Sequence, residues 1–273
     1  MNGIIPAKIN KGDTIGLVSP CWLATQKYYD PIFSVLEDMG YRVKIGPNFY
    51  SNGWGYAATP QERADDINRM ITDDEVRMIF FGGGEGADEI IPLIDYEAAK
   101  AHPKIWLSFS DGTSILNAVH ARTGMVVWYG VQPGFLTEPS DYNRAHFLGH
   151  ILNRDMKQHL KSCPWHTLVP GRARGQLCGG YLDNFTYLAN SQWVVPTPGT
   201  DYILFMEEHC TFFGVEHVSD ELARLENSPI FQQAAGLLFG QYADEPNEHL
   251  LSRLRILGER RGIPVAYCDD FGH

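Results

Sequence analysis

The 273-residue sequence predicts an α/β protein built on parallel sheet, with a larger N-terminal domain and a smaller C-terminal one. Three observations carry that expectation. Short apolar runs alternate with segments of helical spacing from Asp13 onward, the pattern of β-α-β units. Lys104 to Gly124, K-I-W-L-S-F-S-D-G-T-S-I-L-N-A-V-H-A-R-T-G, reads as strand, serine, helix. Residues 163–175 lose helical periodicity and carry Pro164, Pro170, Gly171 and Gly175, the composition of a linker between domains 1–162 and 176–273.

Asp13 to Ser19 is a short apolar run ending at Pro20, a buried strand that enters a loop. Tyr28 to Met39 sets Ile32, Phe33, Val35, Leu36 and Met39 on one helical face, with Pro31 near its start and Gly40 at its stop. Tyr41 to Ile45 is the second strand. Asn48 to Ala58, rich in Gly, Asn, Ser and aromatics, is a rim loop. Thr59 caps and Pro60 opens a helix through Ala64, Ile67, Met70 and Ile71, and Val76 to Phe81 is the third strand. After the strand, serine and helix at Lys104 to Gly124 come a strand at Met125 to Tyr129 and an amphipathic helix from Asp141 to His159. In the second domain Gly179-Gly180 reads as a turn before a helix through Leu182, Phe185, Leu188 and Ala189. Then follow a strand at Tyr202 to Met206, a helix through Val218, Leu222 and Leu225, a strand at Gly236 to Phe239, a helix from Asn247 to Arg261, and a strand at Ile263 to Tyr267.

A formal net charge of −11 supplies no attraction for nucleic acid or for an anionic membrane. The N-terminus has no basic start followed by an apolar core, and no stretch of about 18 apolar residues occurs. A cytoplasmic protein is expected. The five cysteines, Cys21, Cys163, Cys178, Cys210 and Cys268, are scattered without a C-x-x-C pair, so reduced thiols are expected rather than disulfides or a zinc knuckle. His146 and His150 stand four apart but lack the glutamate of an H-E-x-x-H motif, and read as a solvated helix face. No metal or other cofactor is expected.

Ser108-Phe109-Ser110-Asp111-Gly112 has the composition of a nucleophile elbow, in which a tight turn lifts a serine hydroxyl above the sheet edge. Ser110 or Asp111 could equally serve as an ordinary helix cap, and five residues do not separate the two readings. The third strand runs into Gly82-Gly83-Gly84-Glu85-Gly86, which lets backbone approach a ligand closely. Neither a G-K-[ST] ending nor G-x-G-x-x-G spacing is present, so an N–H donor for an oxyanion at Ser110 fits this loop better than a phosphate cradle. Glu207 and Glu208 leave a buried strand, where two acids are costly unless they act or reach water. A serine nucleophile needs a base and a group to orient it, and Ser110, Glu207 and His273 supply the chain order serine, acid, histidine.

The sequence resembles the LD-carboxypeptidase family of serine peptidases, which includes the microcin C self-immunity peptidases. The likeness lies in K-G-D-T-I-G-L-V-S-P (Lys11 to Pro20), R-A-D-D-I-N (Arg63 to Asn68), G-G-G-E-G-A-D-E-I-I-P-L-I-D-Y (Gly82 to Tyr96), P-K-I-W-L-S-F-S-D-G-T (Pro103 to Thr113), G-G-Y-L-D-N (Gly179 to Asn184), I-L-F-M-E-E (Ile203 to Glu208) and P-V-A-Y-C-D-D-F-G-H (Pro264 to His273). The resemblance implies Ser110 as nucleophile, His273 as general base and Glu207 as its orienting carboxylate. It implies an oxyanion hole from the N–H groups of Asp111 and Gly84, and places Gly83, Glu85 and Glu208 at the substrate. It further implies a flavodoxin-like N-terminal domain, a smaller C-terminal α/β domain, a homodimer, and a small peptide or aminoacyl conjugate as substrate.

Muropeptide-cleaving members commonly read R-G-G-Y-G where this sequence has Gly82-Gly83-Gly84-Glu85-Gly86. Thr123 to Gly130, T-G-M-V-V-W-Y-G, looks more like the microcin-immunity branch. Family members also usually continue past the histidine with another strand, whereas this sequence stops at His273. A chain ending at its own base fits, as the alternative, a ligand-binding homologue impaired in catalysis.

Overall fold

The computed structural model describes residues 3–273, which divide into a first unit ending at Leu160 and a second running from Lys161 to His273. The first is built on β1 (Thr14–Leu17), β2 (Arg42–Ile45), β3 (Val76–Phe80), β4 (Ile105–Ser108) and β5 (Trp128–Tyr129), all parallel, in the order β2-β1-β3-β4-β5. This is the flavodoxin-like order. Every residue of β1 and β4 is buried, which is why these strands read as unbroken apolar runs rather than as alternations. Strand order reverses between β1 and β3, and doubly wound sheets bind ligands outside the C-terminal ends of such a pair. The loops leaving those ends carry Cys21 and the glycine-rich stretch.

Helix α1 (Gln26–Asp38) buries Tyr29, Ile32 and Leu36 against the sheet. Helix α2 (Pro60–Thr72) starts from a capping box in which Thr59 and Glu62 satisfy each other's backbone N–H, a motif worth about 1 kcal/mol. Short helices α3 (Ala87–Ile90) and α4 (Tyr96–Ala101) precede α5 (Thr113–Thr123), which Gly124 ends in the left-handed conformation. Last in this unit is α6 (Asp141–His146).

The second unit holds β6 (His166–Val169), β7 (Gln176–Tyr181), β8 (Tyr202–Glu207), β9 (Ala234–Gln241) and β10 (Val265–Gly272) in the order β6-β10-β9-β8-β7. Only β6 runs antiparallel to its neighbour. Helices α7 (Leu182–Ala189), α8 (Val215–Glu226) and α9 (Glu248–Arg261) link the parallel strands, and Asn247 caps α9 through its side chain.

Four expectations change. The stretch 163–175, read as a linker, contains β6, an edge strand at His166–Val169 lying between Pro164 and Pro170. Gly179 and Gly180 lie inside β7 and form no turn, because a Cβ on Gly179 would come 1.8 Å from the Phe205 carbonyl oxygen of β8. The helix expected to reach His159 ends at His146, passes through a π-helical turn at Phe147–Leu152, and then folds back so that Met156 packs on Gly149. Strand β5 shrinks to two residues, since Met125 instead bridges Ile4. Among the described residues no helix is long and apolar enough to cross a membrane.

Candidate active site

Strand β4 delivers Phe109 in extended conformation, and Ser110 then turns to φ 57°. A non-glycine residue in this left-handed region costs roughly 1 kcal/mol, and such strain collects at functional turns. Two glycines make the turn possible. A Cβ on Gly112 would lie 2.0 Å from Ser108 Oγ, and one on Gly83 would lie 2.4 Å from Ser110 Cβ. The Ser110 N–H donates to the Tyr129 hydroxyl at 3.0 Å, while the Gly112 N–H donates to the Phe109 carbonyl at 3.1 Å. Ser110 is therefore the strained apex of a strand-to-helix turn. The N-cap position of α5 is held by Gly112.

Asp111 is buried, and its Oδ2 accepts the Ala87 N–H at 2.9 Å, which ties the elbow to the start of α3. Beside it, burial first and the Asp111 carboxylate second push the Cys21 thiol well above its ordinary pKa. The glycine-rich loop follows β3. Gly83 touches Ser110, and Gly84, at φ 136°, could not carry a side chain, because its Cβ would meet the Cys21 carbonyl oxygen at 2.1 Å. The Glu85 N–H donates to that same carbonyl at 2.6 Å, leaving the Glu85 side chain exposed.

Arg63, only 2% exposed, donates to the carbonyls of Pro20 at 2.7 Å and Gly86 at 3.0 Å and pairs with Glu89. It joins the loop after β1 to the loop after β3 at the switch point. Its position beside Ala64 on the apolar face of α2, with Ile67, Met70 and Ile71, was the available signal that this charge is structural.

In the second unit Glu207 ends β8 and is wholly buried, and its Oε2 lies 2.7 Å from Nδ1 of His273, which follows β10 directly. Gly240 of β9 makes room for this strand end, since a Cβ there would come 2.6 Å from the Phe271 carbonyl oxygen. The His273 ring stands 5.0 Å from the Tyr181 ring and 5.1 Å from that of Phe212, and its side chain is 12% exposed. Asp270 fastens the approach: it accepts from the N–H groups of Ser162 and Cys163 and from Trp165 Nε1. Burial alone would raise its pKa, but these bonds hold its carboxyl far below the usual range.

Glu208, expected at the substrate, is wholly buried, and its Oε1 accepts the His209 N–H at 2.9 Å. Burial raises its pKa to about 7; the facing Tyr181 hydroxyl opposes this, yet Oε2 makes no hydrogen bond of good geometry. The structure thus brings Gly83 and Ser110 together in one unit, with Asp111 and Gly84 beside them in sequence, and pairs Glu207 with His273 in the other. Among the groups singled out elsewhere, Cys210 is exposed, and His146 stacks on His150 at 5.0 Å with His159 at 4.8 Å.

The model of the LD-carboxypeptidase N-terminal domain matches residues 15–130, and that of the LD-carboxypeptidase C-terminal domain matches residues 174–273. The chain belongs to the LD-carboxypeptidase family. A family relative, the probable murein peptide carboxypeptidase of Bacillus subtilis, is 32% identical over 208 residues, covering 74% of this chain and 64% of that protein. The microcin C7 self-immunity protein MccF of Escherichia coli is 23% identical over 277 residues, covering 88% of this chain and 78% of that one. Among solved structures, an MccF-like protein from Bacillus anthracis superposes with a TM-score of 0.88 at 19% identity, over 99% of this chain and 91% of that one. The fold is therefore the family's own, with both domains present.

Proposed function

We propose that this chain is a serine carboxypeptidase that cleaves an amide through an acyl-enzyme on Ser110. The observation that carries the reading is the strained Ser110 turn, held at φ 57° against Gly83. Ser110 Oγ attacks the carbonyl carbon and gives its proton to Nε2 of His273. The Glu207 carboxylate, 2.7 Å from Nδ1, favours the tautomer that leaves Nε2 as the basic nitrogen. The N–H groups of Asp111 and Gly84 receive the oxyanion. The imidazolium then protonates the leaving amine, and water, deprotonated by the same nitrogen, releases the acyl group as a carboxylic acid.

The substrate class that sequence similarity favours is a peptide ending in a small amino acid, since the relative at 32% identity is named a murein peptide carboxypeptidase. An aminoacyl nucleotide is the second reading, favoured by the absence of the arginine and tyrosine of R-G-G-Y-G from Gly82 to Gly86. MccF itself has been solved with aspartyl sulfamoyl adenosine. The test is intact mass after incubation with a serine-directed phosphonate. One adduct on the wild type and none on Ser110→Ala is expected, with an unchanged circular dichroism spectrum. No adduct on either protein overturns the reading. Turnover of an L,D-tetrapeptide against an aminoacyl sulfamoyl adenosine then decides the substrate.

A further inference from the structure

Helices α7 and α8 of the second unit border a cavity of about 550 Å³, lined among others by Asp183, Thr186, Asn190, Glu221 and Arg224. None of these residues takes part in the chemistry above. At its edge the Asp183 Oδ1 lies 3.0 Å from His217 Nε2, and one ligand atom from each of Asp183, His217 and Glu221 falls within 4.8 Å of the other two. His217 and Glu221 are one turn apart on α8 and so share a face, while Asp183 comes from the first turn of α7. The His217 ring is fixed by stacking on Phe213, with centroids 4.0 Å apart and planes at 18°.

Two features of the cavity ask for a ligand. Glu221 is 3% exposed, so a buried carboxylate, the half-exposed Asp183 carboxylate and the His217 imidazole converge within 4.8 Å of one another. Arg224 meets Glu221 at 2.6 Å but also holds Asp220 at 2.8 Å and is itself exposed, so it keeps a partner when Glu221 turns elsewhere. Thr186 is 2% exposed, lines the same cavity, and buries its Oγ1 without a hydrogen-bond partner. A buried hydroxyl of this kind is what an ion-borne water satisfies.

We propose that Asp183, His217 and Glu221 bind a divalent transition-metal ion, zinc in the first instance, with its remaining coordination positions open to the cavity. One imidazole nitrogen and two carboxylates suit zinc, whereas calcium and magnesium prefer oxygen ligands alone. Three protein ligands leave room for water or a small ligand on the ion.

The test is calorimetric titration of the chelator-treated full chain with zinc chloride. The wild type is expected to take up one ion, and Asp183→Asn, His217→Ala and Glu221→Gln each to weaken that binding by roughly tenfold or more. Asp220→Asn serves as the control and binds as the wild type does. Melting curves of the metal-free variants separate loss of the site from loss of the fold: Asp183→Asn, at a half-exposed position, retains the wild-type midpoint but loses the zinc-induced rise. Absence of uptake by the wild type, or uptake by His217→Ala and Glu221→Gln equal to the wild type, overturns the assignment.

Discussion

The turn at Ser110 and the strand end at His273 are organised by different forces. Around Ser110 the constraint is shape: a left-handed serine, Gly83 within touching distance of it, and Gly112 against Ser108. Around His273 it is charge in a dry place: Glu207 wholly buried on Nδ1, Glu208 buried beside it, and Asp270 anchoring the strand. A nucleophile must be aimed, which backbone geometry does locally. The proposed base must be tuned and held in one tautomer, which takes a partner far away in the chain, here 66 residues.

Substitutions on each side sharpen that contrast. Glu207→Gln preserves shape and removes charge, and should lower kcat by about 10⁴-fold with KM little changed, as loss of the acid does in serine triads. Steady-state kinetics checks it; retention of most activity would mean that charge is not what the base side supplies. Gly83→Ala does the opposite, adding one carbon that would sit 2.4 Å from Ser110 Cβ. Displacing the hydroxyl by around 1 Å should cost roughly 10²-fold in kcat, read as slower phosphonate labelling at a fixed probe concentration.

Glu208→Gln probes the charge side through stability. A carboxyl whose pKa rises from 4.5 to about 7 on folding stabilises the fold fully below pH 4.5, and that contribution drains away as pH climbs to 7. Relative to Glu208→Gln, the wild type should therefore lose on the order of 3 kcal/mol between pH 4 and pH 8, measured by urea denaturation at both values. Equal pH profiles for the two proteins would place the carboxyl in contact with water. Ser110→Gly is the smallest change. As loss of the proposed nucleophile it should abolish turnover, yet by relieving the left-handed strain it should raise stability by about 1 kcal/mol, or roughly 2–4 °C in Tm. A lower Tm would show that the serine side chain holds the turn rather than suffers it.

The same contrast explains what the sequence made legible. The β-α alternation, the Thr59-Pro60 helix start and the tight turn at Ser110 are local patterns and appear where expected, although β5 and the helix from Asp141 are shorter and β10 longer than their runs suggested. Gly179-Gly180 misled because a glycine pair usually marks a turn, whereas here bare backbone is needed for β7 to lie against Phe205 of β8. β6 hid between two prolines, since an edge strand tolerates them. Arg63 and the Asp183–His217 contact stayed out of reach because their meaning depends on residues 23 to 43 and 34 positions away. The family motifs supplied Glu207 and His273 for the same reason: nothing in their immediate neighbours pairs them.

The buried thiols give the molecule a chemical selectivity of its own. Burial pushes Cys178 and Cys268 up to about 12 and holds Cys21, next to the glycine-rich loop, well above its ordinary value. At neutral pH a thiol of pKa 12 is ionised in only about one molecule in 10⁵, and the thiolate is the reactive form. Cys210 alone among the five is exposed. A Cys210→Ala chain would therefore leave the half-buried Cys163, whose pKa burial also raises, as the most accessible remaining thiol to compete with the proposed nucleophile Ser110 for an electrophilic tag.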